Sequence, residues 1–184
     1  SVPQSPVGYE VDSEIIVDSD SLLMLQRIPP SMIVVGGGVI GCEYACIFAA
    51  LGVRVSIVNA RGRLLAHLDH DVSDALRQSM TAKLDISVYG NVEVRDVQVE
   101  NERAHVTLSD DMVLNADCVL VSTGRVGNSS SLGLESIGVK CNDRGFILVD
   151  EHYRTPVPHI YAAGDVIGFP ALASASMEQA RVAI

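Results

Sequence analysis

The sequence is poor in positive charge. Lys and Arg together number 13 against 23 Asp and Glu, which gives a formal net charge of −10. This balance argues against nucleic acid or an anionic membrane surface as the partner. It does not exclude one bound dinucleotide, because backbone N–H groups hold phosphate with little side-chain charge.

Cysteine is also scarce, and no metal-binding or redox pattern is visible. The four cysteines are Cys42, Cys46, Cys118 and Cys141, with no C-x-x-C pair and no histidine cluster near them. We interpret them as buried structural thiols and expect no metal site. Free, scattered cysteines favour a cytoplasmic location. The first residues lack the basic end and apolar centre of a signal peptide, so none is predicted.

Polar residues are few in one stretch, residues 32–53, which is broken only by Glu43 and Tyr44. By hydropathy alone this stretch resembles a membrane span. Three consecutive glycines and a central carboxylate argue instead for a strand and a helix in the core of an α/β protein. With 184 residues, 48% of them apolar, the chain is long enough for one globular domain with a sizeable core.

The main motif of the chain is a glycine turn. An apolar strand over residues 32–36 leads into it, a helix over 39–51 follows, and a second strand covers 53–58. The spacing Gly36-x-Gly38-x-x-Gly41 inside such a βαβ unit is the dinucleotide fingerprint. The helix start, Val39 and Ile40 included, places N–H groups where a pyrophosphate binds. Helical spacing predicts that Ile40, Tyr44, Ile47 and Leu51 form the buried face.

The rest of the chain predicts a Rossmann-like α/β domain, with a parallel sheet, helices and an added antiparallel meander. Residues 1–30 are expected to be a connector, partly strand and partly short helix. The further predicted elements are a helix over 70–83, a strand over 86–89, meander strands over 92–99, 104–108 and 112–114, a buried strand over 117–121, short strands over 146–149 and 159–162, and a helix from 173.

The end of the second predicted strand bears on the choice of cofactor. An NAD site usually carries Asp or Glu about twenty residues after the glycines. Here Asn59 occupies that position, 21 residues after Gly38, and Arg61 and Arg63 follow. An amide can hydrogen-bond a ribose without repelling a 2′-phosphate, and a guanidinium pairs with phosphate. The sequence therefore favours NADP or both cofactors, although both arginines could instead be solvated loop residues.

Physical arguments alone do not decide the roles of two carboxylates, those of Glu43 and Asp165. Glu43, on the first helix, could stabilise the helix dipole or point toward a nicotinamide ring. Asp165 follows Gly164 after a predicted strand, where it could accept hydrogen bonds from polyol hydroxyls.

Three segments together resemble the FAD-dependent pyridine nucleotide–disulfide oxidoreductase family. Pro30 to Glu43 resembles the entrance to that family's NAD(P) domain. Ser122-Thr-Gly-Arg-Val-Gly-Asn128, which contains Gly124, resembles its Ala-Thr-Gly-Arg-x-x-Asn turn. Thr155 to Asp165 resembles its second flavin motif. The resemblance implies that Asp165 binds the ribityl chain of FAD and that Glu43 lies near the nicotinamide.

Within the family, residues 59–69 and 164–176 are more similar to members that transfer hydride between NADPH and NAD⁺ through FAD. This implies NAD, NADP and FAD as cofactors and a homo-oligomeric parent. It also implies a fragment: a connector over 1–30, an NAD(P) domain over 31–150 and a truncated part of the FAD domain over 151–184. The family's first FAD fingerprint and its redox-disulfide segment are absent, so no catalytic residue and no activity of the chain alone are expected.

Two alternatives stay open. The chain could come from a dihydrolipoamide dehydrogenase or related disulfide reductase, or it could be a stand-alone dinucleotide-binding module.

Overall fold

The structure is a computed structural model that describes residues 1–184. Its strands and α-helices follow one another along the chain as β1 (Val2–Pro3), β2 (Ile16–Asp18), β3 (Ser31–Val35), α1 (Val39–Ala50), β4 (Arg54–Asn59), α2 (His70–Leu84), β5 (Ser87–Gly90), β6 (Val94–Glu100), β7 (Arg103–Leu108), β8 (Val113–Ala116), β9 (Cys118–Val121), β10 (Arg125–Val126) and α3 (Ala173–Ala183).

The chain divides into two compact units. One comprises Pro3–Gly124, and the other comprises Ser1–Val2 together with Arg125–Ile184. The units are defined by compactness alone, so the predicted division into NAD(P) and FAD parts stays a prediction.

A five-stranded parallel sheet forms the centre of the larger unit, in the order β2-β9-β3-β4-β5. β3 is the middle strand, and all five of its residues are buried. Met32 lies opposite Val55 of β4 on one side and Cys118 of β9 on the other. A strand covered on both faces is a continuous apolar run, as the sequence predicted. The predicted connector contributes β2, which is an edge strand of this sheet.

The two faces of the sheet are covered differently. Met32 and Val34 of β3 belong to a core cluster shared with α1 and α2, whereas Ile33 and Val35 belong to a second cluster. That second cluster includes Val106 and other residues of the antiparallel sheet. Successive strand residues point to opposite faces, so the antiparallel sheet takes the place that a helix layer occupies in a doubly wound fold.

The predicted meander is confirmed as a three-stranded antiparallel sheet in the order β6-β7-β8. β6 and β7 are joined at Asn101 and Glu102, whose φ angles are +50° and +59°. Two consecutive positive φ values are typical of the type I′ turn, whose twist matches that of a two-residue hairpin.

The predicted buried face of α1 is wrong at two of its four positions, since Ile40 and Tyr44 are half-buried and Tyr44 packs against the core. Ile47 and Leu51 are 51% and 57% exposed, and the buried residues are Gly41, Cys42 and Ala45. These side chains are small, so the helix approaches the sheet closely along them. Because α1 is apolar apart from Glu43 and Tyr44, helical spacing alone did not identify the face that packs.

The predicted strands over 146–149 and 159–162 are also wrong, since they form only the isolated bridges Cys141–Ile147 and Arg154–Tyr161. Side chains take up the backbone N–H groups nearby. Oδ1 of Asn142 accepts from the N–H of Phe146, and Oδ1 of Asp150 accepts from the N–H of Arg154. Such local hydrogen bonds compete with a strand ladder.

The stretch over 32–53 consists of β3, α1 and the turns around them. Neither α1 nor any other helix is both long enough and apolar enough to span a bilayer.

Candidate functional site

The glycine turn between β3 and α1 begins at Gly36, which has a φ of +115°. A Cβ at this position would lie 2.5 Å from the carbonyl oxygen of Ser122, so both the angle and the space require glycine. Its N–H donates to the carbonyl of Val58 at 2.8 Å. This hydrogen bond ties Gly36, the first residue of the turn, to β4.

Gly37, which the fingerprint treats as variable, is the most enclosed residue of the turn. Its N–H donates to Oδ1 of Asn59 at 3.1 Å, and its carbonyl accepts from the N–H of Leu65 at 2.8 Å. A Cβ here would lie 2.8 Å from both Asn59 Cγ and Leu64 Cδ2. The motif did not predict this constraint, because the crowding comes from Asn59 at the end of β4 and Leu64 in the loop after it.

Gly38 is the N-cap of α1, and an added Cβ there would meet no atom within 4 Å. The N–H groups of the first helical turn, at Val39, Ile40 and Gly41, have no partner within a helix. The open space at Gly38 and the positive end of the helix suit a pyrophosphate. The residues present therefore fit a dinucleotide.

Ser122, at the end of β9, holds the other side of the turn. Its Oγ donates to the carbonyl of Val35 at 2.9 Å, and the Ser122 N–H donates to the same oxygen at 2.8 Å. A Cβ on Gly41 would meet Ser122 Oγ at 2.7 Å, so helix, turn and β9 meet in close contact. The family turn has alanine where this chain has Ser122, so motif comparison gave no signal for the hydroxyl.

Asn59 is the last residue of β4 and is only 8% exposed. In addition to accepting from Gly37, it donates through Nδ2 to the carbonyls of Arg61 at 2.6 Å and Arg63 at 3.0 Å. The side chain thus connects the glycine turn to the loop after β4. Its predicted contact with a ribose stays a prediction.

A cavity of about 500 Å³ opens at the carboxyl ends of the parallel strands. Its size is in the range of small-molecule sites, about 300–1,000 Å³. The predicted site residues that line it are Gly36, Gly38, Asn59, Arg61, Arg63 and Gly124. Its lining has two arginines and one carboxylate, that of Glu93, although the chain as a whole is strongly acidic.

Glu43 is not in the first turn of α1, which has no acidic residue. It lies one residue further along and is exposed. The predicted stabilisation of the helix dipole is therefore weakened, because that effect falls off within the first turn. Its negative charge contributes instead, after burial and the Cys46 thiol, to raising the pKa of Cys42 to about 11.

The four thiols differ in burial, whereas the sequence predicted that all of them are buried. Cys42 and Cys118 are buried, Cys46 is half-buried and Cys141 is exposed, which corrects the expectation of four buried thiols. Burial raises the pKa of Cys118 to about 12, with smaller contributions from Asp12 and Asp117. The two buried thiols stay protonated near neutral pH, so neither is a nucleophile there. No group of His, Cys, Asp and Glu in the chain could hold a metal ion.

Gly164 and Asp165 lie in the smaller unit. Gly164 has a φ of +86°, and its N–H donates to Oε1 of the buried Gln179 at 2.7 Å. The carboxylate of Asp165 accepts from Ser1 Oγ at 2.7 Å, and Arg125 Nε donates to that same hydroxyl at 2.8 Å. Asp165 is therefore held in place by neighbours of its own unit.

The parallel sheet, the glycine turn leading into α1 and the cavity at the strand ends have the architecture of the Rossmann class of α/β proteins. Comparison with known families gives the particular family. Residues 6–183 match the model described as "Pyridine nucleotide-disulphide oxidoreductase", and the chain belongs to that family.

Individual relatives agree with this membership. The chain is 43% identical over 183 residues to the soluble pyridine nucleotide transhydrogenase of Yersinia pestis, a match covering 100% of this chain and 39% of that protein. Among solved structures, LpdA from Mycobacterium tuberculosis is similar with a TM-score of 0.91 and 32% identity, covering 99% of this chain and 39% of that one. The HOCl-induced flavoprotein disulfide reductase RclA from Escherichia coli has a TM-score of 0.91 and 28% identity, with coverage of 99% and 41%. The chain thus spans about two fifths of the length of these relatives.

Proposed function

We propose that this chain is the NAD(P)-binding portion of a longer flavoprotein that transfers hydride between NADPH and NAD⁺ through FAD. The observation that carries the proposal is the cavity at the glycine turn, lined by an amide and two arginines where a strict NAD site has a carboxylate. A site without that carboxylate accepts both pyridine nucleotides, as exchange between them requires. Identity of 43% to a soluble pyridine nucleotide transhydrogenase supports the proposal.

The glycine turn, the start of α1 and the cavity each have a role in this function. The N–H groups at Gly38, Val39, Ile40 and Gly41 bind the pyrophosphate, and Gly36 allows the turn that presents them. The adenosine ribose lies toward the end of β4, near Asn59 and Arg61. Gly124 lines the same cavity. Glu43 is assigned to the nicotinamide end on the family resemblance alone.

Gly164 and Asp165 are proposed to be part of the FAD site. A half-buried carboxylate fixed by Ser1 suits the hydroxyls of a ribityl chain. When bound, FAD supplies the redox chemistry, accepting hydride from one pyridine nucleotide and giving it to the other. The residues of this chain bind and orient the nucleotides, and none of them is assigned a catalytic role. We expect no hydride transfer from the chain alone.

A disulfide reductase is the second candidate, because the structurally similar RclA is named a flavoprotein disulfide reductase. Dithiol chemistry of this kind needs two thiols that form a disulfide. The sequence encoded upstream of this chain separates the candidates: a C-x-x-x-x-C segment there contradicts the transhydrogenase, and its absence contradicts the reductase. A gene that encodes only these residues would support a stand-alone binding module.

The binding function is tested by titrating the chain separately with NADH and NADPH and following nicotinamide fluorescence. We expect similar dissociation constants for the two. A preference for NADH above about a hundredfold, or about 2.7 kcal/mol, contradicts a dual site. Binding of neither nucleotide contradicts the proposed function as a whole.

The proposed setting is the cytoplasm, with pyridine dinucleotides as partners and a homo-oligomeric parent. Four unpaired cysteines suit a reducing compartment. The net charge of −10 disfavours nucleic acid as a further partner.

A further inference from the structure

We propose that Asn59 is a positioning residue, whose carboxamide fixes the backbone of residues 61–63 so that the Arg63 guanidinium meets the 2′-phosphate of NADPH. The inference rests on the proposed function and goes further in assigning the selectivity of the site. It differs from the predicted role of Asn59, which was direct contact with the ribose, and it assigns the main phosphate contact to Arg63 rather than Arg61.

The hydrogen-bonding groups of Asn59 are already used by the protein. A carboxamide has two N–H donors and one oxygen that can accept up to two hydrogen bonds. Both donors are directed at backbone carbonyls, those of Arg61 and Arg63, and the oxygen accepts from the N–H of Gly37. These partners also fix the orientation of the amide, because an N–H only donates and a carbonyl only accepts. No donor remains for a ribose hydroxyl.

The backbone at Arg63 is held on both sides. Its own carbonyl accepts from Asn59, and the next residue, Leu64, is 2% exposed and belongs to the core under the sheet. Leu65 then donates its N–H to the carbonyl of Gly37. The position of Arg63 relative to the glycine turn is therefore fixed, whereas Arg61 is exposed.

The Arg63 side chain has an unsatisfied atom. Its Nη1 is buried and has no hydrogen-bond partner in the protein. Buried donors in native structures nearly always have an acceptor, and this one is on a side chain that lines the nucleotide cavity. A phosphate oxygen is the acceptor that a guanidinium binds best. The 2′-phosphate of NADPH supplies it, and NADH does not.

A carboxylate at position 59 would first disturb the loop after β4, whose backbone Asn59 holds. It could still accept from Gly37, but it has no N–H to give to the two carbonyls and would repel them. Exchanging amide for acid therefore releases the backbone that carries Arg63. If Asn59 instead faced the ribose, the same exchange would strengthen NADH binding, because a carboxylate accepts from both ribose hydroxyls.

The test measures the dissociation constants of NADPH and NADH for the 184-residue chain and its variants. Arg63→Met is expected to weaken NADPH by at least about tenfold and NADH by less than about twofold. Asn59→Asp is expected to weaken NADPH similarly without strengthening NADH. Arg54→Met, on the exposed residue at the other end of β4, is the matched control and should change neither. Tighter NADH binding by Asn59→Asp overturns the proposal, and so does equal loss of both nucleotides in Arg63→Met.

The double variant separates positioning from simple charge repulsion, since a carboxylate near a phosphate also weakens NADPH. If Asn59 acts through Arg63, adding Asn59→Asp to Arg63→Met changes the affinity for NADPH by less than about twofold. Effects that multiply in full show that the two residues act independently and overturn the proposal.

Folding of each variant is checked by thermal unfolding before titration. If Asn59→Asp does not fold, Arg63→Met decides alone, with 2′,5′-ADP and 5′-AMP as competing probes; only the first should bind less tightly to the variant. If the unchanged chain binds neither nucleotide, the proposed function fails and this inference fails with it. If it binds both and Arg63→Met does not alter their ratio, only this inference fails.

Discussion

The N–H of Gly37 donates to Oδ1 of Asn59 at 3.1 Å, so the last residue of β4 holds the middle of the glycine turn. The side chains packed against Gly37 explain why three consecutive glycines occur where the fingerprint needs only the first and the third. Gly37 leaves room for the side chains beneath the turn, and Gly38 leaves room for the ligand in front of it.

Alanine at these two neighbours should therefore affect different properties: mainly stability at Gly37 and mainly nucleotide binding at Gly38. Gly37→Ala should lower the free energy of unfolding by about 1–3 kcal/mol, because its methyl group overlaps Asn59 and Leu64. Gly38→Ala should lower it by at most about 1 kcal/mol, the usual loss at an N-cap, and should weaken both nucleotides by at least about tenfold. Urea unfolding and nucleotide titration of both variants check this. Similar stability losses in the two variants would contradict the assignment.

The Arg61 guanidinium is exposed, so its contribution should depend on salt. Arg61→Ala is expected to weaken NADPH more than NADH, by about threefold at 50 mM salt. The difference should nearly vanish at about 0.5 M salt, where exposed charges are screened. Titrations at the two salt concentrations measure it. A loss that is equal for NADH and NADPH would show that Arg61 makes no contact with the 2′-phosphate.

Cys141 is the exposed thiol of the chain, and Cys42 and Cys118 are buried with raised pKa values. A thiol reagent such as DTNB at pH 7.5 should modify Cys141 rapidly, Cys46 more slowly and the two buried thiols only after denaturation. Absorbance at successive times follows the reaction. Cys141→Ser should remove the rapid phase, and a rapid phase that persists would refute this order.

Stability should fall in alkaline solution. The pKa of Cys42 is raised from 9.0 to about 11 and that of Cys118 to about 12, so the folded chain keeps protons that the unfolded chain releases. This stabilisation is complete below pH 9 and is lost as the pH rises toward 11 and 12. Each thiol contributes a slope of about 1.4 kcal/mol per pH unit in that window.

Urea unfolding between pH 8 and 10 tests the slope before Tyr9, whose pKa is raised from 10.0 to about 12, begins to contribute. The variant Cys42→Ala/Cys118→Ala should show a much smaller slope, and Cys141→Ala should show the original one. An unchanged slope in the double variant would mean that the buried thiols do not cause the loss.

The sequence was sufficient where short-range pattern determines structure. The apolar run before Gly36 predicted the central strand, and the glycine spacing predicted the turn and the start of α1. It was insufficient where several segments meet. The constraint on Gly37 arises from Asn59 and Leu64, and the closure of the turn arises from Ser122, which is far along the chain.

At the candidate site, Asn59 likewise shows that a sequence pattern does not reveal contacts between distant segments. Its position predicted a role in choosing the cofactor, but the partners of its carboxamide are backbone groups that no motif specifies. The predicted strands after residue 145 failed for a related reason. Asn142 and Asp150 bind N–H groups four residues ahead, and alternating apolar residues do not reveal such local competition.

The hairpin turn between β6 and β7 is a suitable place for an insertion into this protein. Asn101 and Glu102 are exposed and lie outside the lining of the nucleotide cavity. Exposed loop tips tolerate insertions, because the entropy of closing a loop rises slowly with its length. A short tag or a fluorescent label placed between these residues should leave the dinucleotide site intact, and it would allow the protein to be captured or quantified without blocking that site.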